Sequence, residues 1–476
     1  MIATIIIMLY VVVLLAISYF STKKIQSGSE GDFVLAGRNL TWPLIGVTIA
    51  GLGVGGASTI GVAESAYTLG MSAGWYDVAW ATGALTVGLL IASRIRQSKV
   101  ATVIQGMEIA YGSVTGFVVM LLQMIVGFGI FTMQIKAGGA LLAALLPNVF
   151  TLNSGMLVST VIFLVVAIVG GMWSAALTNV INVIVILSGM IIGAFMVVNH
   201  FGGLEVINSH LPAVDNNLWW SLTEGYGIPK IIAQVLSLTV LPICLQTVTQ
   251  SCASAVNEKH ASKGMLFAAI LMAPLGFVCA LFGVIAAAEA PNLENASMAM
   301  PMIITYLNPW VSGIILSGLW AADVSTGNGC LIGQATMATQ DIVVRYFAPN
   351  LSGKKQITAM RIIMVIFSAV GYLFAVRMGE IVTLLMKLLT LWTPLAVVII
   401  ITWRFPQYSR KSTGAVTLVA GGIFGVASLL LPSIVIMNQE IFGTLLVSLI
   451  ACILTIIFDK RPSNWLEMYP EGTELK

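Results

Sequence analysis

The sequence predicts an all-α polytopic membrane protein of about thirteen transmembrane spans. Three observations predict it. Of 476 residues, 58% are hydrophobic and 9% charged, at a mean hydropathy of +0.99, whereas a soluble domain carries about 25% charged residues. The apolar stretches run on for the ~20 residues that cross a bilayer as a helix, without the ~10-residue alternating segments of a membrane barrel. Basic residues gather on every second connection, as they do on cytoplasmic loops.

The spans fall at about 2–20, 42–70, 74–93, 113–147, 154–170, 174–199, 229–249, 264–288, 309–339, 357–377, 380–403, 413–433 and 438–458. Residues 2–20 have no basic residue ahead of them and Lys23 and Lys24 behind. A cleaved signal peptide has the reverse order, so this stretch is expected to remain as a first span with its N-terminus outside. The inner connections then hold Arg38; Arg94, Arg96 and Lys99; Lys259 and Lys263; Arg345, Lys354 and Lys355; Arg404, Arg410 and Lys411. The short polar tail 459–476, with Lys460, Arg461 and Lys476, is cytoplasmic. The outer connections hold acids instead (Glu205, Asp215, Glu224, Glu289, Glu294 and Glu440), with Arg377 and Lys230 as exceptions. Trp219 and Trp220 fit an outer interfacial belt. The whole of 1–476 reads as one transmembrane domain. The five cysteines show no CxxC spacing and suggest neither a disulfide framework nor a metal site. A net charge of +3 is too small to imply a nucleic-acid partner.

Setting aside the first span and the last two leaves ten, in two sets of five, 42–200 and 229–403. An odd number of spans per set gives the sets opposite orientations, the pattern of inverted repeats. The first member of each set is interrupted. In 42–70 the interruption is Gly51, Gly53, Gly55 and Gly56, each costing a helix interior ~1 kcal/mol relative to alanine. In 229–249 it is Pro242, which lacks a backbone donor. Unpaired backbone at membrane depth is tolerated only where protein buries it or it lines a cavity. A span broken at mid-depth points to an ion and substrate site. Glycines also allow close helix packing.

Span 309–339 carries AADVST at 321–326. Ser325 and Thr326 set two neutral hydroxyls side by side, and the Ala322 carbonyl lies one turn before Thr326 on the same face. Hard cations such as Na⁺ take oxygen ligands; serine and threonine hydroxyls also bond back to the preceding turn. Ionisable groups at membrane depth cost ~2.5–3.5 kcal/mol and so face a partner or water. Glu64, Lys136, Asp323 and Lys387 fall within spans, and Asp77 lies near the outer start of 74–93. Lys136 and Asp323 sit on the third members of the two sets. They are expected to face one cavity, either paired with each other or holding a substrate carboxylate and supporting an ion site respectively.

GDFVLAGRNL at 31–40, AYTLG at 66–70, Gly170-Gly171 followed by SAALTNVINV, and AADVST occur in an order and spacing that resembles the sodium:solute symporter family, which includes sodium/glucose cotransporters and proline permeases. The stretch Gln250–Gly264 fits more loosely, and the resemblance spans roughly 31–403. It implies a leucine-transporter-type 5+5 inverted repeat with one extra N-terminal and two extra C-terminal helices. It implies Na⁺ as coupling ion, held by the carbonyls of Gly51, Val54 and Ala322 and the hydroxyls of Ser325 and Thr326. It makes Ser58 and Asp77 substrate candidates through sugar-transporting relatives, beside Lys136 and Asp323. Three positions depart from the pattern. Asn179 stands where the family commonly has an acid, Gly53 where proline permeases have an aspartate, and Gln250-Ser251 where Gln-Arg is usual. Asp323, one turn before Thr326, can supply the missing charge.

The resulting expectation is a secondary active transporter and not an enzyme: Na⁺-coupled symport of a small polar solute into the cell by alternating access, in the plasma membrane, as a monomer. His200, His210 and His260 are not at mid-span and no HExxH occurs. An H⁺-coupled symporter of the same fold and an ion channel stay open as alternatives, although no ring-type filter is readable.

Overall fold

The computed structural model describes residues 35–470 except Lys99, Asp215, Asn216, Met378 and Glu380, together with Ile5, Ile6, Leu9, Tyr10, Val12, Val13, Ala16 and Phe20; for 169–175 it describes the backbone alone. The first span, Lys23, Lys24, residues 31–34 and the end of the tail therefore lie largely or wholly outside the described residues.

Among the described residues the chain is helical throughout, with only two isolated β-bridges. The principal helices are α1 (Trp42–Gly53), α2 (Val62–Leu69), α3 (Trp75–Leu90), α4 (Val103–Tyr111), α5 (Ser113–Leu145), α6 (Leu152–His200), α7 (Gly227–Cys244), α8 (Gln246–Ala253), α9 (Glu258–Met272), α10 (Leu275–Glu289), α11 (Pro309–Met337), α12 (Gly353–Ala375), α13 (Ile381–Arg404), α14 (Thr413–Leu430) and α15 (Glu440–Phe458). Eight segments are long and apolar enough to cross a membrane, with α9 and α10 counted together as one, or nine when the bent α1–α3 run is added.

Helix α11 is not among the eight, and the reason is its role. It carries Ser317, Asp323, Ser325, Thr326, Asn328, Gln334 and Thr336, yet every residue from Ile315 to Met337 is buried. A helix surrounded by protein can be polar at membrane depth, because its partners are side chains and backbone rather than lipid. It packs on α6, α5 and α1.

Two spans expected at 154–170 and 174–199 form one helical run, α6, of 49 residues. Straight, it would measure ~74 Å, over twice the hydrocarbon thickness. Its contacts show that it folds back. Phe163 packs on Gly327, and Asn182 Nδ2 donates to the Ala321 carbonyl at 3.1 Å. These contacts lie ~9 Å apart along α11 but would lie ~29 Å apart on a straight α6. The segments Leu152–Ile168 and Ala176–His200 thus pass α11 at similar depth. A capping box of Thr151 and Ser154 starts the run.

The second expected break is displaced. Pro242 lies inside α7, and the chain leaves the helix at Leu245 (φ −67°, ψ 120°) before α8 begins. The inner ends of the two broken helices are tied together: Leu40 N–H donates to Ser254 O, and Val256 N–H to Leu40 O, both at 3.0 Å. Arg96 donates to the carbonyls of Ala255 and Val256 on the same tie. Trp219 is not an interfacial anchor. It is buried against Val284 and Ala287, and its indole N–H donates to Pro212 O at 2.9 Å.

Candidate functional site

The site is built on the interruption after α1. Helix α1 stops at Gly53, and Val54 takes φ −86° and ψ 64°, which swings its carbonyl roughly 100° away from the helical direction. The chain resumes as one wide turn over Ala57–Gly61, closed by Gly61 N–H to Gly56 O at 2.9 Å, before α2. Helix α1 lies at 54° to the run that follows. Glycine is required here for space as well as freedom. A Cβ on Gly55 would lie 2.8 Å from Thr326 Oγ1, and one on Gly56 would lie 2.0 Å from Ala137 Cβ and 2.8 Å from Asp323 Oδ1.

Opposite the break, α11 presents its two hydroxyls. Thr326 Oγ1 donates to Gly51 O at 2.9 Å, with Leu52 O at 3.3 Å and Ala322 O at 3.1 Å as further acceptors. Ser325 Oγ reaches Ala322 O at 2.7 Å and Gly51 O at 3.4 Å. Gly51 O, Ala322 O, Ser325 Oγ and Thr326 Oγ1 thus form a closed ring of four oxygens. A square with edges of this length has its centre ~2.1 Å from each corner, near the 2.0–2.6 Å at which hard cations take oxygen. A hydroxyl can also turn its hydrogen away and offer a lone pair. No group of three or more His, Cys, Asp or Glu side chains converges among the described residues.

Asn179, on α6, stands behind this ring. Its Nδ2 donates to Thr48 O at 3.2 Å, while its Oδ1 is buried without a partner and would lie 2.6 Å from a Cβ on Gly51. Asp323 supports the break from the other side. It is fully buried, and its Oδ1 accepts the Gly56 N–H at 3.2 Å while Oδ2 has no hydrogen-bond partner. Gln134 on α5 also accepts the Gly56 N–H, at 2.9 Å. The charge on Lys136, two residues on, draws attention away from Gln134 in the sequence. Its own signal is only that it is a polar side chain inside a span.

A small cavity of about 30 Å³ adjoins the break. Gly53, Gly55, Tyr76, Trp80, Gln134 and Thr326 line it, with Met133, Leu241 and Leu385 closing the walls. None of the lining residues is charged. Three substrate candidates are turned away from it. Tyr76 faces the cavity, so Asp77, ~100° further round α3, lies against Gly276 of α10, buried with both oxygens unpartnered. Lys136 donates to the Gly379 carbonyl at 2.7 Å, on a face of α5 opposite to Gly138, which meets Asp323. Of the two arrangements open for Lys136 and Asp323, a direct pair is not formed: Lys136 bonds to Gly379 O and Asp323 to Gly56 N–H. Ser58 bonds back to Gly55 O at 3.0 Å. Asp323 touches the break without lining the cavity.

Residues 33–425 match the model of the sodium:solute symporter family. The chain belongs to this family. It is 24% identical over 406 residues to a sodium/glucose cotransporter of Vibrio parahaemolyticus, covering 78% of this chain and 74% of that protein. It is 23% identical to a human high affinity choline transporter, covering 76% and 66% respectively. Among solved structures, a substrate-bound, outward-open Na⁺-coupled sialic acid symporter superposes with a TM-score of 0.78 at 15% identity, covering 97% of this chain and 99% of that one. A nucleobase-cation-symport transporter, Mhp1, follows with 0.63 at 15% identity over 90% and 95%. The fold is therefore of the leucine-transporter type, and the family member is a multi-pass membrane transporter, a secondary active symporter rather than an enzyme.

Proposed function

We propose that this symporter carries a small polar solute into the cell with Na⁺ by alternating access. The observation that carries the reading is the ring of Gly51 O, Ala322 O, Ser325 Oγ and Thr326 Oγ1 across a broken helix. Val54 O, swung off the helix, and Asn179 Oδ1 are further oxygens for the ion. One Na⁺ entering across ~100 mV releases ~2.3 kcal/mol before any concentration gradient. The solute occupies the cavity beside Tyr76 and Trp80, where ring faces and backbone replace ion pairs. The thirteen-span, 5+5 inverted arrangement, with N-terminus outside, C-terminus cytoplasmic and function as a monomer in the plasma membrane, is part of this proposal. Its support is the charge asymmetry of the loops.

Proton coupling is the second reading, favoured by the buried and unpartnered oxygens of Asp77 and Asp323. The test begins with a solute screen by thermal stabilisation, with and without Na⁺, since a ligand of the native state raises stability by mass action. Uptake of the hit into proteoliposomes follows, under a Na⁺ gradient or a pH gradient. Ser325→Ala with Thr326→Ala should raise the half-saturating Na⁺ concentration at least ~tenfold, ~1.4 kcal/mol. Unaltered Na⁺ dependence would mean the ion binds elsewhere, and uptake driven by pH alone would establish the second reading.

A further inference from the structure

A wide crevice of about 1010 Å³ opens on the periphery of the bundle between α5, α12 and α13. Its walls are mostly apolar, with Ile125, Phe128, Phe367, Phe374 and Leu388 among the lining residues. Ile125 and Phe374 are 56% and 61% exposed, so none of the described residues covers them. Two cations, Arg377 and Lys387, line the same crevice. Both are exposed, and neither side chain has a hydrogen-bond or ion-pair partner among the described residues.

Lys387 is the anomaly. It lies in α13, ~9 Å along the helix from Ile381, on a face turned to lipid. A lysine in hydrocarbon costs ~2.5–3.5 kcal/mol unless it snorkels or meets a counter-charge. Arg377 follows the C-terminus of α12, and Lys387 lies near the start of α13, so both stand at the same end of the crevice. At that end the Gly379 carbonyl is already taken by Lys136 at 2.7 Å. Among the described residues, the crevice lining holds these two cations, Arg377 and Lys387, and no acid. From Arg377 the apolar wall of α12 runs back to Ile366, ~16 Å at helical rise. That is one leaflet of a ~30 Å hydrocarbon core.

We propose that this crevice is a site for an anionic phospholipid, its phosphate held between Arg377 and Lys387 and one acyl chain laid along Phe128, Phe367 and Phe374. Charge and length together select this occupant. A zwitterionic lipid leaves the net positive rim uncompensated, and an apolar helix from a partner strands Lys387.

The experiment uses the full chain in nanodiscs of phosphatidylcholine alone or with about a third phosphatidylglycerol, followed by detergent release and native mass spectrometry. Wild-type protein should retain phosphatidylglycerol over phosphatidylcholine by at least ~tenfold, ~1.4 kcal/mol. Arg377→Gln with Lys387→Gln should lose that preference, and Lys387→Arg should keep it. Folding of each variant is followed by its melting transition in phosphatidylcholine, where all should match. If the double variant does not fold, Lys387→Gln alone should still reduce the preference at least ~threefold. Equal retention of both lipids by wild type, an unchanged preference in Lys387→Gln, or a second protein chain occupying the crevice in the released complex would each overturn the proposal.

Discussion

The chain leaves the helix twice, after α1 and after α7, and the two openings differ in what they do with their freed carbonyls. At the first, Gly51 O meets the hydroxyls of Ser325 and Thr326. At the second, Cys244 O accepts from Gln123 Nε2 at 2.6 Å, and Leu245 O accepts the backbone N–H groups of Val248 and Thr249. A hydroxyl is donor and acceptor, so it can release a carbonyl and join it in facing a cation; an amide nitrogen or a backbone N–H can only donate. A broken helix is therefore not a cation site in itself. The donors opposite decide, and only the first opening has donors that can reverse.

Filling the first opening should have the largest effect. Gly56→Ala places a methyl 2.0 Å from Ala137 Cβ and 2.8 Å from Asp323 Oδ1, so α5 must shift or α11, which carries the ring hydroxyls, must move. Overpacking costs ~1–3 kcal/mol, and with the ion ring displaced, uptake in proteoliposomes should fall at least ~tenfold. Cys244→Ala at the second opening should stay within ~threefold of wild type. Comparable activity in the two variants would erase the distinction.

A charge beside the first opening should come next. Asn179→Asp keeps size and shape and puts a carboxylate where Oδ1 now stands unpartnered behind Gly51. Opposite charges ~4 Å apart near a protein surface attract by several kcal/mol. After the cost of burying the carboxylate, half-saturating Na⁺ in uptake should still fall at least ~fivefold. A rise, or no change, would remove Asn179 from the ion's surroundings.

At the second opening the corresponding change should alter stability and not Na⁺. Gln123→Leu strands Cys244 O, and an unsatisfied buried carbonyl costs ~1–3 kcal/mol. The melting temperature should fall by several degrees while half-saturating Na⁺ stays within ~twofold of wild type. A shift in Na⁺ affinity as large as that of the Ser325–Thr326 double variant would make the two openings alike.

The backbone of the candidate site was legible because glycine clusters and neighbouring hydroxyls are properties of residue type. The fold class was legible for the same reason. What stayed hidden is rotation. One step along a helix turns a side chain by ~100°, so Tyr76 faces the cavity and Asp77 does not, and Lys136 points to Gly379 while Gln134 reaches Gly56. Ionisable residues attract attention by their cost, yet the cost says only that each needs an environment. Tertiary packing decides which environment, and for Lys136 it is a carbonyl at a helix end. The second break was misplaced for a related reason. Proline removes one donor and is tolerated within α7, so the opening comes at Leu245, where α7 gives way to α8.

The smallest expected effect lies in the wide turn Ala338–Phe347 that follows α11, where Asp341 stands next to the Arg345–Glu108 pair. Burial pushes its carboxyl from 3.8 up to about 7, while a hydrogen bond from Thr102 and the Arg345 charge pull the other way. The folded protein therefore keeps a proton that the unfolded chain releases above pH 3.8. The stability this proton contributes is complete below pH 3.8 and is lost as pH rises through about 7. Wild-type protein in detergent should thus melt lower at about pH 8 than at about pH 5, by an amount that Asp341→Asn, neutral at both, removes. The variant should also melt above wild type at the higher pH, because an asparagine there carries no buried charge. An undiminished pH slope in Asp341→Asn would mean that another group between α4 and the turn Ala338–Phe347 holds the proton.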